Sequence, residues 1–441
     1  MSHSMELDGR QQFNQSRRWS EKLPSILRGF GAAAVIFSLY SFLFKGWEGS
    51  GDLARYLILL GHTGLLAVLA LFAGHFLKEG KSPRVLLMLS LASVPVNFAV
   101  LGASVYAANA LTISSGYPSY FAWSVGDWST VIPLVSSALL VLMAVIFIGF
   151  QTLVRGMSKP MMGLFALSNL ALVLPIRDPV SVTALATGLG LLTFIISTNT
   201  ARRRTEARTF EGAIALLLQF VPPSIMLVRN VWVYQPDALA VLGLVIVCFI
   251  AIRHFTGIMN RDSFARVFLE ILSVVFAFAA GVLCAITLVE WWYFSTFSII
   301  LFLSSLVMAG MLYELAQRAG LGGTVYRILA VVSFVGFQLL NVLAQIDSLS
   351  LLCGLMGGGL LLGVGSYAKQ QSLLIGGSLL IVVALIVETV LALRSFDLNY
   401  WVTLTATGVV AIVLASLMES KAIGIKRYIG LYKNRFKEWE I

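Results

Sequence analysis

The chain alternates long apolar segments with short polar or charged ones along almost its whole length. Most of the apolar segments run for about 20 residues or more, which is the length a helix needs to cross the hydrocarbon core of a bilayer. The segments and their breaks predict fourteen membrane-spanning helices. The predicted spans are 24–44, 53–77, 84–108, 130–153, 159–176, 179–200, 210–233, 238–256, 264–291, 296–317, 324–345, 349–367, 371–393 and 398–418.

Composition leads to the same fold class. Of the 441 residues, 58% are hydrophobic and 12% are charged, whereas soluble domains carry about 25% charged residues. The prediction is an all-α fold, a polytopic transmembrane helical bundle. Residues 1–23 are predicted to form a cytoplasmic N-terminal tail, residues 24–418 the transmembrane domain, and residues 419–441 a cytoplasmic basic amphipathic helix.

The distribution of positive charge predicts the topology. When the spans alternate across the membrane, 26 of the 31 Lys and Arg residues fall on the side of the N-terminal tail. Positive residues are retained on the cytoplasmic side, so both termini are predicted to be cytoplasmic. The five basic residues left on the outer side are Lys45, Arg55, Arg177, Arg229 and Arg394.

Aspartates begin most of the helices that run inward from the outer side. A helix N-terminus has unpaired N–H groups and a partial positive charge, and an Asp side chain compensates both. The predicted N-cap residues are Asp52, Asp127, Asp178, Asp237, Asp347 and Asp397. Three of them, Asp127, Asp237 and Asp347, are spaced 110 residues apart, which suggests four-helix units repeated in parallel orientation.

Glu388 is a carboxylate inside an apolar span, in the stretch "LIVETVLALR". It lies six residues before Arg394, and that spacing does not bring two side chains onto one helix face. An intramembrane carboxylate needs a partner on another helix, an aqueous cavity or a neutral state. Arg229 is the leading candidate partner. A proton or substrate site and an inter-helix tie are both open interpretations.

Four uncharged polar residues also lie in the middle of spans: Asn97, Gln219, Gln338 and Asn341. They are candidates to line a cavity, although inter-helix hydrogen bonds are the commoner use of such residues. Pro95 and the pair Pro222-Pro223 are predicted to kink their spans.

Local spacing predicts several further contacts. Arg208 with Glu211 and Arg266 with Glu270 have same-face helical separations, typical of interfacial ion pairs. The run "GLMGGGLLLGVG" at 354–365 predicts close helix packing through Gly359 and Gly363.

The sequence contains no nucleotide-binding loop, zinc-protease motif or serine nucleophile elbow. The three cysteines fall in apolar segments without metal-ligand spacing, and the histidines are too scattered to hold haem. No cofactor or metal is predicted. Since the basic residues follow the edges of the spans, the charge of +10 is attributed to membrane topology, and no nucleic-acid partner is expected.

Two segments outside the predicted spans are candidate interaction surfaces. The outer loop at 109–128 is rich in Ser, Gly and aromatic residues and is a possible surface for a protein partner. In the C-terminal helix, apolar residues recur at helical spacing, which favours binding to the anionic inner leaflet over docking onto a protein. Its membrane-surface cations are Lys426, Arg427, Lys433 and Arg435.

The first predicted hairpin, "SLYSFLFKGWEGSGDLARYLILLGHTGLL", and the later "LASVPVNFAVLGASVY" resemble a group of bacterial polytopic membrane proteins classed only as domains of unknown function. The resemblance covers roughly the first quarter of the chain. It implies a bacterial inner membrane and no particular activity or site.

These patterns favour a transporter-like or lipid-handling membrane protein whose cavity is lined by polar residues of the spans at 84–108, 210–233, 324–345 and 371–393. One alternative is a non-catalytic membrane scaffold or complex subunit. A second is an embedded enzyme that acts on a lipid-linked substrate.

Overall fold

The prediction of an all-α polytopic membrane protein is confirmed by a computed structural model. Within the described ranges there is no strand, and eleven helices are long and apolar enough to cross a membrane. The structure describes residues 26–38, 41, 51–76, 78, 80–109, 127–234, 237–259, 263–291, 297–318, 323–345, 348–395 and 405.

The chain divides into two compact units, Met1–Met259 and Asn260–Ile441. The first contains α1 (Ile26–Ser38), α2 (Asp52–Phe76), α3 (Lys81–Asn109), α4 (Trp128–Leu153), α5 (Ser158–Val173), α6 (Pro179–Arg203), α7 (Phe210–Leu218), α8 (Val221–Arg229) and α9 (Ala238–Ile258). The second contains α10 (Phe264–Trp291), α11 (Phe297–Arg318), α12 (Gly323–Gln345), α13 (Ser348–Ala368) and α14 (Gln371–Ser395).

The predicted spans from 53–77 to 371–393 each coincide with α-helical structure to within a few residues. Apolar runs bounded by polar residues set these limits, because a buried backbone in lipid must satisfy its own hydrogen bonds. The segment predicted at 159–176 forms α5, whose 16 residues extend about 24 Å and fall short of a full crossing. Of the predicted span 24–44 the structure describes mainly α1, and 398–418 lies almost wholly outside the described residues.

The predicted span at 210–233 is broken. α7 ends at Leu218 and α8 begins at Val221, so the helix is interrupted at Gln219 and Phe220. Pro222 and Pro223 fall in the first turn of α8, where their missing N–H groups cost no helical hydrogen bond. By contrast, α3 runs without interruption through Pro95.

The core of the first unit is built from large apolar side chains and close helix contacts. Phe150 of α4 and Phe165 of α5 are fully buried, with their ring centroids 5.4 Å apart. Tyr56 of α2 and Phe98 of α3 are buried in the same cluster. The core therefore joins α2, α3, α4 and α5 into one packed group.

In the second unit, glycines bring α13 and α14 together, but not the two that the sequence predicts. A Cβ at Gly358 would lie 2.9 Å from the carbonyl oxygen of Gly377, and a Cβ at Gly377 would lie 2.7 Å from that of Gly358. Gly359 and Gly363 have nothing within 4 Å. The prediction that Gly359 and Gly363 mediate the packing is wrong because the neighbouring helix contacts a different face of α13.

Candidate functional site

Asn97 ties α3 to α2. Its side chain is fully buried, and its Nδ2 donates to Thr63 Oγ1 at 2.8 Å and to the carbonyl oxygen of Ser93 at 2.9 Å. Ser90 Oγ donates to the carbonyl oxygen of Thr63 at 2.9 Å, so a second bond joins the same two helices. Without water in the membrane core, such bonds satisfy polar groups that would otherwise be costly to bury.

Gln219 lies in the break between α7 and α8 and joins it to α5. Its fully buried side chain donates from Nε2 to the carbonyl oxygen of Met161 at 3.2 Å. The contact fixes the interrupted backbone to a neighbouring helix. The broken helix is thus held in place by a side chain of the break itself.

The two mid-span amides of the second unit are used in the same way. Gln338 donates from Nε2 to Ser305 Oγ at 2.8 Å, and Asn341 donates from Nδ2 to the carbonyl oxygen of Ser298 at 3.2 Å. Both amides are fully buried. They lie three residues apart on one face of α12 and bind it to α11.

Arg229 and Glu388 belong to different units, so their suggested pairing stays a prediction. Arg229 is buried, and its Nη1 donates to the carbonyl oxygen of Leu172 at 3.4 Å. Glu388 is partly exposed on α14. In the part of the chain that the structure describes, it forms no hydrogen bond or ion pair.

Arg177 is a structural residue that sequence reasoning missed. From the α5–α6 connection, its Nη1 donates to the carbonyl oxygens of Leu174 and Ile176 at 3.1 and 2.7 Å, and its Nη2 donates to that of Gly102 at 2.9 Å. The guanidinium carbon lies 4.5 Å from the ring centroid of Tyr106. One group therefore holds the connection against the end of α3.

The sequence feature that marks Arg177 is its predicted position on the outer side of the membrane. Arg55, Arg177 and Arg229 are three of the five basic residues that the predicted topology leaves on the outer side. Their exposed fractions are only 3%, 9% and 8%. These three arginines are buried, but burial is not confined to the predicted outer side, since Arg253, Arg266 and Arg327 are buried too.

Two of the predicted N-cap aspartates make cap hydrogen bonds. Asp178 Oδ2 accepts from the Ser181 N–H at 2.9 Å, and Asp237 Oδ1 accepts from the Leu239 N–H at 2.7 Å. The hydrogen bonds from Ser181 hold the pKa of the Asp178 carboxyl below its usual value. These hydrogen bonds cap the N-termini of α6 and α9, respectively.

The other predicted N-cap and surface residues differ in position. Asp127 occupies the N-cap of α4 without a side-chain cap bond, and Asp52 is the first residue of α2. The remaining residues lie outside the described residues: Asp347, Asp397, Lys426, Arg427, Lys433 and Arg435. Most of the outer loop at 109–128 lies outside them too.

Arg266 and Glu270 form one of the predicted local ion pairs. Arg266 Nε lies 2.9 Å from Glu270 Oε1. Glu211 instead pairs with Arg84 of α3, at 2.9 Å between Nη1 and Oε1. The predicted pairing with Arg208 is wrong because Arg208 precedes α7, in a 3₁₀ turn, so helical spacing does not relate the two side chains.

A groove of about 570 Å³ lies between α12 and α14 in the second unit. Its walls include Ile328, Val332 and Leu339 of α12 and Ile375 and Leu379 of α14. From Ile328 to Leu339 the α12 wall rises by about 17 Å. The groove is apolar along this length.

One end of the groove is polar. Gln371 and Ser372, the first two residues of α14, line it there. Lys369 is exposed just before them, in the turn between α13 and α14. On the floor, a Cβ at Gly336 would have nothing within 4 Å, so this position opens into the groove. The polarity of the groove matches that of an amphiphilic molecule, because the groove is apolar over most of its length and polar at one end.

No protein-family model matches this chain, and neither a curated protein nor a solved structure matches it.

Proposed function

We propose that this integral membrane protein handles a membrane lipid and holds one acyl chain of that lipid in the groove between α12 and α14. The observation that carries the proposal is the polarity of the groove. It is apolar over its length and ends at Gln371 and Ser372. An acyl chain fits the apolar part, and the polar end meets the ester or phosphate region of the same molecule.

The proposed location is a bacterial inner membrane, with both termini in the cytoplasm. The support is the concentration of Lys and Arg on one side of the predicted spans. In that orientation the start of α14 lies at the inner headgroup level, where anionic lipids are held by nearby cations. Lys369 lies two residues before Gln371 and supplies such a cation.

The hydrogen bonds that the mid-span amides make between helices also favour a lipid over a polar solute as the ligand. Asn97, Gln219, Gln338 and Asn341 are fully buried and donate to groups on neighbouring helices. A transporter of polar solutes needs such donors along its pathway. A lipid needs mainly apolar contact at membrane depth, which the groove between α12 and α14 offers.

The test is to fill the groove at Gly336. Leu at this position projects into open space and improves the helix propensity of α12. The matched control is Gly359→Leu, on the exposed side of α13, where a Cβ also has nothing within 4 Å. Lipid that remains bound to each purified variant is counted by native mass spectrometry, and thermal unfolding is recorded in parallel.

We expect Gly336→Leu to lose most of the bound lipid, while Gly359→Leu retains as much as the wild-type protein. Unfolding midpoints should stay unchanged or rise in both, because leucine is the better helix former and a Cβ at either position meets no neighbour. Equal lipid retention in the two variants would refute the proposal. So would a lowered unfolding midpoint or a change in oligomeric mass for Gly336→Leu alone with bound lipid unaffected, since that result identifies a protein segment or a second copy as the occupant.

A further inference from the structure

Two basic connections of the first unit converge on one cavity. Arg155 lies in the connection from α4 to α5 and Lys159 in the first turn of α5, while Arg203 ends α6 and Arg204 follows it. In the sequence they belong to two separate segments, both of which are predicted on the cytoplasmic side. In the structure both line the same cavity of about 690 Å³, a volume typical of small-molecule sites.

The charge of this cavity is positive. Four cationic residues line it, and its lining contains no Asp or Glu. Within the ranges that the structure describes, Arg155, Lys159, Arg203 and Arg204 form no ion pair. Elsewhere in the unit an arginine near a carboxylate does pair with it, as Arg84 does with Glu211. None of the four cations in the cavity is therefore in a direct ion pair with a described carboxylate.

Glu206 is a carboxylate beside the cavity, and it bonds to the backbone of a residue in the cavity wall. Glu206 Oε2 accepts from the backbone N–H of Gly156 at 2.8 Å. A Cβ at Gly156 would lie 2.5 Å from Glu206 Oε1, so glycine is what allows the carboxylate to reach this backbone. Glu206 thus fixes the α4–α5 connection beside the cavity without lining it.

Uncharged groups in the wall add hydrogen-bonding capacity. Gln151 and Asn199 line the cavity, and each side-chain amide carries N–H donors. α5 begins at Ser158 in the same wall, and no side chain caps its N-terminus. Its partial positive charge adds to that of the four cations.

We propose that this cavity binds a phosphate group. Guanidinium groups match the oxygens of phosphate with two parallel hydrogen bonds, and three of the four cations are arginines. The volume exceeds that of a phosphate ion alone, so the group is part of a larger molecule. Two sources share this chemistry, the headgroup of an anionic phospholipid and a soluble phosphate compound.

The test uses the full-length protein in lipid nanodiscs and a double variant, Arg155→Gln with Arg203→Gln. The matched control is Arg202→Gln with Arg208→Gln. These two arginines are exposed on the same segment of chain, do not line the cavity and form no ion pair among the described residues. Both variants lose the same charge, so a general electrostatic effect is equal in the two.

Two probes distinguish the sources. Retention of phosphatidylglycerol against phosphatidylcholine reports a lipid headgroup, and calorimetric binding of inorganic pyrophosphate in phosphatidylcholine nanodiscs reports a soluble phosphate compound. We expect the cavity variant to weaken one of these interactions by roughly tenfold or more, since two charge-assisted hydrogen-bonding groups are removed. The control should match the wild-type protein.

The results with the two probes either identify the source of the phosphate group or show that the proposal is wrong. Loss of phosphatidylglycerol preference alone assigns the cavity to a lipid headgroup, and loss of pyrophosphate binding alone assigns it to a soluble phosphate compound. If the cavity variant and its control behave alike with both probes, the proposal is wrong. Adding Gly336→Leu, in the other unit, should lower the number of bound lipids equally in the cavity variant and in its control and should leave pyrophosphate binding unchanged, so failure of this site and failure of the proposed acyl-chain groove are distinguished.

Discussion

Arg177 Nη2 donates a hydrogen bond to the carbonyl oxygen of Gly102, 2.9 Å away and 75 positions earlier in the chain. The bond fixes the α5–α6 connection to α3. The same guanidinium also donates to the carbonyl oxygens of Leu174 and Ile176. A single arginine thus joins two parts of the backbone, the carbonyl groups that follow α5 and that of Gly102 within α3.

Replacing Arg177 by Gln should destabilise the protein. Glutamine offers two donors at a shorter reach, so carbonyl groups that now accept from the guanidinium lose their partners. Losing hydrogen bonds to a charged group costs about 1.5–3 kcal/mol. Thermal unfolding in detergent, followed by tryptophan fluorescence, should show a lowered midpoint. Arg202→Gln, at an exposed site, is the control, and equal midpoints for the two variants would contradict the role of Arg177.

Gly102→Ala should be destabilising at the same junction. The added Cβ would collide with the carbonyl oxygen of Leu172 and lie 3.3 Å from Arg229 Nη1. Overpacking of this kind costs about 1–3 kcal/mol. Gly163→Ala on α5 has open space at its Cβ and should be neutral or stabilising, because alanine is the better helix former. If both variants unfold at the same temperature, α3 and the end of α5 are not in backbone contact.

The bond between Thr63 and Asn97 should appear as a coupling energy in a double-mutant cycle. Thr63→Val and Asn97→Leu are combined, and the free energy of unfolding is measured for each variant. Hydrogen bonds between membrane helices average about 0.6 kcal/mol and reach about 1.7 kcal/mol. Pairing Asn97→Leu with Thr152→Val, whose hydroxyl bonds only within α4, should give no coupling. A zero value in both cycles would exclude the hydrogen bond between Thr63 and Asn97 as a stabilising contact.

Glu388→Gln should leave the free energy of unfolding within about 0.5 kcal/mol of wild type, or raise it. The carboxylate has no hydrogen bond or ion pair among the described residues, and its removal eliminates the cost of a charge in the membrane. Chemical unfolding in mixed micelles provides the measurement. A clear loss of stability would show that Glu388 joins two helices. Arg229 would then be the first partner to test.

Lowering the pH should reduce the stability of the α6 N-terminus, because the Asp178 carboxylate that caps it becomes protonated. Its hydrogen bonds with Ser181 keep the pKa of the carboxyl below the ordinary Asp value. The cap therefore stabilises the protein fully above that ordinary value and is lost as the pH falls through the lower folded pKa. Asp178→Asn keeps a side-chain oxygen for Ser181 but does not titrate.

The unfolding midpoint of Asp178→Asn should accordingly fall less on acidification than that of the wild-type protein. The difference should be confined to acidic pH. Asp127→Asn is the control, since Asp127 makes no cap hydrogen bond. If the Asp178 and Asp127 variants have the same pH dependence, the cap at α6 does not contribute.

The sequence predicts helix positions well where the cause is local. An apolar run of sufficient length must form a helix in lipid, and Pro222-Pro223 locates the interruption between α7 and α8 because proline is tolerated in a first turn. Both features depend only on residues adjacent in the chain.

Contacts between distant segments are not predictable in this way. The sequence indicates which charged side chains need partners. It does not indicate that Glu211 pairs with Arg84, which lies 127 residues away in the chain. Similarly, three consecutive glycines at 357–359 do not reveal which one a neighbouring helix contacts. The basic connections at 155–159 and 203–204 are each visible in the sequence, whereas their convergence on one cavity depends on the packing of α4, α5 and α6.

The contact between Gly358 and Gly377 limits how the second unit can move. Each glycine has the carbonyl oxygen of the other where a side chain would begin, so α13 and α14 are in contact through their backbones. Sliding either helix along the other would drive a bulkier neighbour into this contact. α13 and α14 are therefore expected to behave as one stiff pair, and any widening of the groove would require α12, whose Val331 and Val335 lie against Gly376, to move away from both helices together.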